Sequence, residues 1–106
     1  MRILFDQGTP APLRFELPGH HVTTAYEIGW SHLDNGDLLL QAEARCDLLI
    51  TTDQNLRYQQ NLSGRRLAFL VLPTTSWPVI SRHATEVSAA VASMNPAEFR
   101  KLHFAG

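Results

Sequence analysis

The sequence has few cysteines, no long apolar run and little net charge, and each of these excludes some classes of protein. It contains one cysteine in 106 residues, which excludes an internal disulfide and a cysteine-rich zinc site. No apolar run approaches the roughly 18 residues of a membrane-spanning helix, and the first residues do not have the apolar core of a signal peptide. The formal net charge is only −1, whereas proteins that bind nucleic acid mainly through charge are strongly basic. We therefore expect a reduced, cytoplasmic protein without a membrane segment, although an enzyme that contacts a few phosphates stays open.

The composition is that of an ordinary folded domain. Hydrophobic residues make up 44% of the chain and charged residues 18%, which argues against disorder. A length of 106 residues is near the commonest size of one domain, and no linker, repeat or low-complexity segment divides the chain. We expect a single domain over residues 1–106.

Short apolar strands alternate with helical segments along the chain. The pattern predicts strands at 2–5, 21–25, 47–52 and 67–72, and an edge strand at 98–104. It predicts helices after residue 9, after the turn at 34–36, at 54–61 and at 81–94. Such alternation is typical of right-handed βαβ crossovers. The sequence therefore predicts an α/β fold of three layers, in which helices cover both faces of a mostly parallel sheet of four to five strands.

Two of the predicted strands end in an aspartate. Asp6 follows the strand at 2–5, and Asp53 follows the strand at 47–52. In open α/β sheets, ligand sites form outside the carboxyl ends of the strands, where the strand order reverses. Two carboxylates on neighbouring strands, about 4.8 Å apart, repel each other unless one is protonated or a cation lies between them. Because Mg²⁺ and Mn²⁺ prefer oxygen ligands, the pattern predicts a metal site at this edge.

A third aspartate, Asp37, lies in the first turn of the helix before the third strand, and that turn can face the same edge. Three carboxylates around a metal would activate water and stabilise a phosphate during phosphodiester cleavage. Simpler roles stay open, because Asp53 can cap the helix that follows it and Asp37 can complement a helix dipole. Further candidates near the same edge are Asn55, Glu27 and Thr52.

Three segments surround these acids: Ile3–Asp6, Gly36–Ala42 and Leu48–Leu56. Together they resemble the short PIN-like proteins, a family of predicted nucleases often associated with toxin–antitoxin pairs. The resemblance extends from residue 2 to about residue 80, and its most specific part is the TTDQNL segment at 51–56. It implies a compact PIN-like fold and a Mg²⁺- or Mn²⁺-dependent endoribonuclease. Carried over by position, Asp6, Asp37 and Asp53 match the catalytic, metal-binding acids of that pattern.

Two positions depart from the family pattern. Gln7 stands where many members have a second acid, and Asn55 stands where they often have an aspartate. The amide oxygen of Asn55 can still contact a metal or a water, but both changes lower the negative charge of the site. They favour a second hypothesis, in which the chain is a catalytically weak PIN-like module that binds a partner such as an antitoxin.

The remaining expectations concern partners and a third class of function. Three arginines fall on or after the helix that begins at Asp53, where some of them can contact an RNA backbone: Arg57, Arg65 and Arg66. The last predicted helix has apolar residues to spare, which leaves a homo-oligomer open. A receiver-like phosphoacceptor domain also ends its first and third strands in aspartates. Two features argue against that class. Such domains require an acidic pair at the first strand, where this chain has Asp6 and Gln7, and a lysine after the fifth strand, where Lys101 is poorly placed.

Overall fold

One parallel sheet organises the described part of the chain, which comprises residues 1–30, 32–56 and 66–104 of this computed structural model. Within those ranges the sheet has five strands, in the order β2-β1-β3-β4-β5, and all neighbouring pairs are parallel. The strands are β1 (Arg2–Phe5), β2 (His21–Thr24), β3 (Leu48–Thr51), β4 (Ala68–Val71) and β5 (Phe99–Lys101). The helices are a short 3-10 helix (Ala11–Glu16), α1 (Asn35–Arg45), α2 (Trp77–Arg82) and α3 (Ala84–Ser93). The predicted α/β class is confirmed.

Helices cover both faces of the sheet, so the structure has three layers. Strands β1, β3 and β4 are buried almost throughout, as expected for parallel strands with both faces covered. Successive side chains of a strand point to opposite faces. One face therefore packs its residues against the 3-10 helix, α2 and α3, through Leu13, Ile80, Val87 and Val91. The other face packs against α1, through Leu38, Leu39 and Ala42.

The helical segments differ in detail from the predictions. The helix predicted at 81–94 is two helices, because α2 already begins at Trp77 and His83 leaves helical geometry, with φ −116° and ψ 21°. The His83 ring stacks on Phe104 at 4.4 Å, and its Nδ1 lies 2.8 Å from Glu86, so one long-range and one local contact accompany the break. Most of the helix predicted at 54–61 lies outside the described residues. In the described ranges, the helices are all too short or too polar to cross a lipid bilayer.

The strand order reverses between β1 and β3. From β1 the chain first adds β2 on one side, and the next strands extend the sheet on the other side. This 2-1-3-4-5 order is that of a doubly wound sheet, whose ligand crevice lies at the carboxyl ends of the two strands flanking the reversal. Phe5 pairs with Ile50 at those ends, so the residues just after them, Asp6 and Thr51, lie at the crevice.

The turn that leads into β5 contains a strained residue. Ala97 has a φ of 65°, and it follows Pro96 in a turn closed by the Glu98 N–H on the Asn95 carbonyl at 3.1 Å. A positive φ after proline is typical of a type II turn, whose third position favours glycine. The Ala97 N–H also donates to the Arg66 carbonyl at 2.9 Å. That bond ties the turn to the segment before β4.

Ala97→Gly is expected to raise the free energy of unfolding by about 0.5–1 kcal/mol. The left-handed conformation costs alanine about 1–2 kcal/mol, and the greater freedom of glycine in the unfolded chain cancels part of that gain. Urea denaturation measures the change. As a control, Ala89→Gly at an exposed position of α3 should lower the stability by about 1 kcal/mol. A loss of stability in both variants would contradict the strain at Ala97.

Candidate functional site at the carboxyl edge of the sheet

Asp6 is held at the edge of the sheet by hydroxyl groups from two directions. Its backbone N–H donates to the Ile50 carbonyl at 3.2 Å, which continues the β1–β3 pairing by one residue. The Thr9 hydroxyl donates to one carboxylate oxygen at 2.7 Å, and the buried Thr51 hydroxyl donates to the other. The backbone N–H of Gly8 also bonds to the carboxylate. The Asp6 carboxylate therefore has a defined orientation in the crevice.

Thr51 connects Asp6 to Asp53. The oxygen of the Thr51 hydroxyl accepts the Asp53 backbone N–H at 3.1 Å, while its hydrogen is donated to Asp6. The Asp53 carboxylate accepts the Asn55 N–H at 2.9 Å, as an aspartate does when it caps a turn or a helix. Asp53 therefore has the local capping contact expected of it and also lies beside Asp6.

The surroundings of Asp6 disfavour its charged form. Burial raises the pKa of Asp6 above its ordinary value of 3.8, and the negative charge of Asp53 raises it further, while the hydroxyls of Thr51 and Thr9 act in the opposite direction. Burial is the largest of these effects. Asp53 therefore lies within electrostatic range of Asp6. A cation between them would offset both the repulsion and the lost hydration.

The structure does not bring Asp37 into this pair. Its backbone N–H donates to the Asp34 side chain at 2.8 Å, and its own side chain is exposed in the first turn of α1. In residues 1–30, 32–56 and 66–104, no three histidine, cysteine, aspartate or glutamate side chains are grouped so that they could hold one metal ion. The predicted convergence of Asp6, Asp37 and Asp53 is therefore not found. Helix α1 buries Leu38 and Leu39 against the sheet, which leaves Asp37 on the solvent side, where it complements the helix dipole.

Glu27 lies near the crevice but is directed to Arg14. The two ends of the Arg14 guanidinium donate to the two Glu27 oxygens at 2.9 and 2.6 Å, and this contact lowers the pKa of Glu27 to about 2. Glu27 also accepts the Thr24 N–H at 2.9 Å, while the Thr24 hydroxyl accepts the Glu27 N–H at 3.1 Å. This reciprocal pair has the spacing of a capping box. Glu27 is therefore an ion-pair and turn residue in this structure.

The other predicted site residues belong to the loops that follow β1 and β3. The side chains of Gln7 and Asn55 are exposed, and that of Thr52 is half-buried. A β-carbon built on Gly8 would come within 2.7 Å of the Thr52 hydroxyl, so the loops after β1 and β3 are in close contact. Two of the three arginines lie outside the described residues, Arg57 and Arg65.

A cavity of about 570 Å³ opens beside Asp6. Besides Asp6, its walls include Gln7, Arg14, Tyr26, Glu27 and Trp77. The sequence analysis did not predict that Thr9 would donate a hydrogen bond to Asp6 or that Arg14 would pair with Glu27. The Thr24-to-Glu27 spacing was the available signal for the turn that holds Glu27, but nothing local pairs Glu27 with an arginine 13 residues earlier.

No protein-family model, curated protein or solved structure matches this chain. The crevice at the β1/β3 reversal and the adjoining cavity define a doubly wound α/β protein with an acidic pair at its switch point.

Thr51→Val is expected to lower the free energy of unfolding by about 1–3 kcal/mol near neutral pH, because a partly buried carboxylate loses one of its donors. It should also raise the pKa of Asp6 further, since the Thr51 hydroxyl now lowers it. Urea denaturation and an NMR titration of the Asp6 carboxyl measure the two effects. Thr23→Val, at a half-buried position of β2, is the control and should change neither by much. An unchanged Asp6 pKa in Thr51→Val would contradict the contact.

Proposed function

We propose that this chain is a divalent-metal-dependent endoribonuclease, with Asp6 and Asp53 as its metal-binding carboxylates. The observation that carries the proposal is the position of this acidic pair, at the carboxyl ends of β1 and β3, where the strand order reverses. Doubly wound sheets bind their ligands at that point. The resemblance of the surrounding segments to short PIN-like proteins supplies the class of substrate, RNA.

The residues of the crevice fit a hard cation. Asp6 has lost part of its hydration and is repelled by Asp53, and both effects favour a bound positive charge. Mg²⁺ typically uses one or two protein carboxylates and keeps several waters, so a pair is sufficient without Asp37. The exposed amides of Gln7 and Asn55 supply oxygen atoms in the same loops. When bound, the ion would polarise a phosphoryl oxygen and lower the pKa of a bound water.

The chain's own residues contribute orientation and charge. Thr9 and Thr51 hold the two oxygens of Asp6 in place, so the carboxylate does not need to reorganise when substrate arrives. Thr51 also accepts the Asp53 backbone N–H, so one hydroxyl connects the loop of Asp53 to the Asp6 carboxylate. The cavity beside Asp6 provides room for a nucleotide.

The test is cleavage of single-stranded RNA by the purified protein with Mn²⁺, followed on denaturing gels. Cleavage should require the metal and stop with a chelator. Asp53→Asn should reduce the rate by roughly 10²-fold or more, the scale of losing one preorganised electrostatic partner. Asp37→Asn is the matched control and should keep most of the activity, because Asp37 does not form a metal-holding group with Asp6 and Asp53. A rate that is insensitive to Asp53→Asn would contradict the proposal.

A receiver-like phosphoacceptor is the second candidate, favoured by two observations. The 2-1-3-4-5 strand order is shared by such domains, and Thr75, which follows β4, lines the same cavity as Asp6. Treatment with a small phosphodonor would then leave a phosphoryl group on Asp53, detected by mass spectrometry. Calorimetry with Mg²⁺ and Mn²⁺ separates both candidates from a binding module without catalysis, which should take up neither ion.

A further inference from the structure

Arg14 presents a phosphate-binding geometry inside the cavity beside Asp6. Both ends of its guanidinium face one carboxylate, that of Glu27, at 2.9 and 2.6 Å. One of the two nitrogens also donates to the Val22 carbonyl at 2.8 Å, which anchors the guanidinium to β2. A fork of two parallel N–H donors matches a phosphate as well as it matches a carboxylate. Arg14 therefore holds, ready-made, the donors that an RNA phosphate needs.

The carboxylate that now occupies those donors is accessible to a competing anion. The Arg14 side chain is about a quarter exposed and that of Glu27 nearly half exposed, so an incoming phosphate can reach the guanidinium. Glu27 does not depend on Arg14 for its position, because its reciprocal bonds with Thr24 hold it separately. The turn would therefore stay in place when a phosphate replaces the Glu27 carboxylate as the partner of the two donors.

We propose that Arg14 binds a backbone phosphate of the RNA next to the one that is cleaved, and that Glu27 occupies Arg14 until the RNA displaces it. This inference rests on the proposed function, since it places the substrate in the cavity that contains Asp6. Tyr26 lines the same cavity and is 79% exposed. Its ring is therefore accessible for stacking with a base of a single strand, on the nucleotide whose phosphate Arg14 holds.

The experiment measures the affinity of a fluorescein-labelled single-stranded RNA by anisotropy, with all proteins carrying Asp6→Asn so that the RNA stays intact. Glu27→Gln removes the charge but keeps an oxygen for the Thr24 N–H, as capping boxes allow. It should bind RNA about three- to tenfold more tightly, because the donors of Arg14 become available. Glu16→Gln is the matched control. Glu16 is an exposed acid in the 3-10 helix that also contains Arg14, but its side chain lines a different groove. Its substitution should therefore have a much smaller effect on RNA affinity.

Two substitutions of Arg14 complete the test. Arg14→Gln should weaken binding by about tenfold, and Arg14→Lys, which keeps the charge without the fork, should weaken it less. Arg82→Gln, at an exposed position of α2, is the control for the lost charge. In Arg14→Gln the gain from Glu27→Gln should fall to that of Glu16→Gln, since a gain that acts through Arg14 is not additive with its removal.

A gain in Glu27→Gln that persists without Arg14, or that equals the gain in Glu16→Gln, would overturn the inference and leave only general charge repulsion. The same holds if no variant binds the RNA. Cleavage by proteins with Asp6 intact reports on the nuclease independently. If the protein cleaves RNA but the Arg14 substitutions leave RNA affinity unchanged, the inference is overturned and the nuclease assignment stands. Arg14-dependent binding without cleavage supports the phosphate site and contradicts the nuclease.

Discussion

Asp6→Asn is expected to reduce metal-dependent RNA cleavage by roughly 10²–10³-fold, the range for removing one preorganised electrostatic group, while the protein becomes no less stable. The loss of activity follows because an amide has no charge to hold the ion beside Asp53. The retained stability follows because burial and Asp53 already disfavour the charged form of Asp6. An amide oxygen can still accept the Thr51 hydroxyl, and its NH₂ can donate to Thr9, whose hydroxyl is also 2.9 Å from the Ile50 carbonyl.

The stability effect has a predictable pH dependence. The pKa of Asp6 in the folded protein is raised above 3.8, so its protonated form contributes stability that is fully present below the unfolded-state pKa. That contribution is lost as the pH rises through the folded-state pKa. The asparagine does not titrate. The variant should therefore match the wild type in acid and become relatively more stable toward neutral pH.

Urea denaturation of both proteins over this pH range measures the difference, and the Mn²⁺ assay measures the activity. Asp37→Asn again serves as the control and should leave the activity largely intact. If Asp6→Asn were markedly less stable at neutral pH, Asp6 would belong to the fold rather than to a site. If the variant still cleaved RNA, the nuclease assignment would not stand.

Phe5→Ala is expected to lower the free energy of unfolding by about 3–5 kcal/mol, the usual cost of truncating a buried phenylalanine. Phe5 is 0% exposed, and it lies in β1, between β2 and β3. It packs in the same cluster as Leu13, Ile50 and Leu70, so the cavity would open in the middle of the fold. A domain of this size is stable by only about 5–15 kcal/mol, so the variant should be close to unfolding at moderate temperature.

Phe15→Ala is the matched control, because Phe15 is 81% exposed and its removal should change the stability by less than about 0.5 kcal/mol. Thermal and urea denaturation compare the two variants. Similar losses in both would contradict the burial of Phe5. Since Asp6 follows Phe5 directly, Phe5→Ala should also disturb the crevice, and its RNA cleavage should fall together with its stability.

The sequence by itself was sufficient for the elements whose pattern is local. The apolar runs of β1, β3 and β4 exceed what an exposed strand would carry, and their alternation with helices predicts a covered parallel sheet. The aspartates at the ends of β1 and β3 were visible for the same reason, since each directly follows or closely follows such a run. The extent of the first strand was predicted without error, and β2, β3 and β4 within one residue at each end, whereas β5 ends three residues before the prediction.

Only the tertiary structure decided which of these residues contact each other. The helix break at His83 coincides with its stacking on Phe104, 21 residues away in the sequence. The pairing of Arg14 with Glu27 is also non-local, because it needs β2 to return the chain alongside β1. The exclusion of Asp37 from the acidic pair depends on how α1 is rotated against the sheet.

For the acidic pair, Asp6 and Asp53, one property was determined by the sequence and another only by the tertiary structure. The sequence placed Asp6 and Asp53 at strand ends, because hydrophobic runs and their boundaries are written in neighbouring residues. The strand order β2-β1-β3-β4-β5, which makes β1 and β3 neighbours and puts the two carboxylates at one switch point, arises from contacts between distant parts of the chain. Such long-range pairings are set by the packing of all layers together, so no single segment of the sequence contains them.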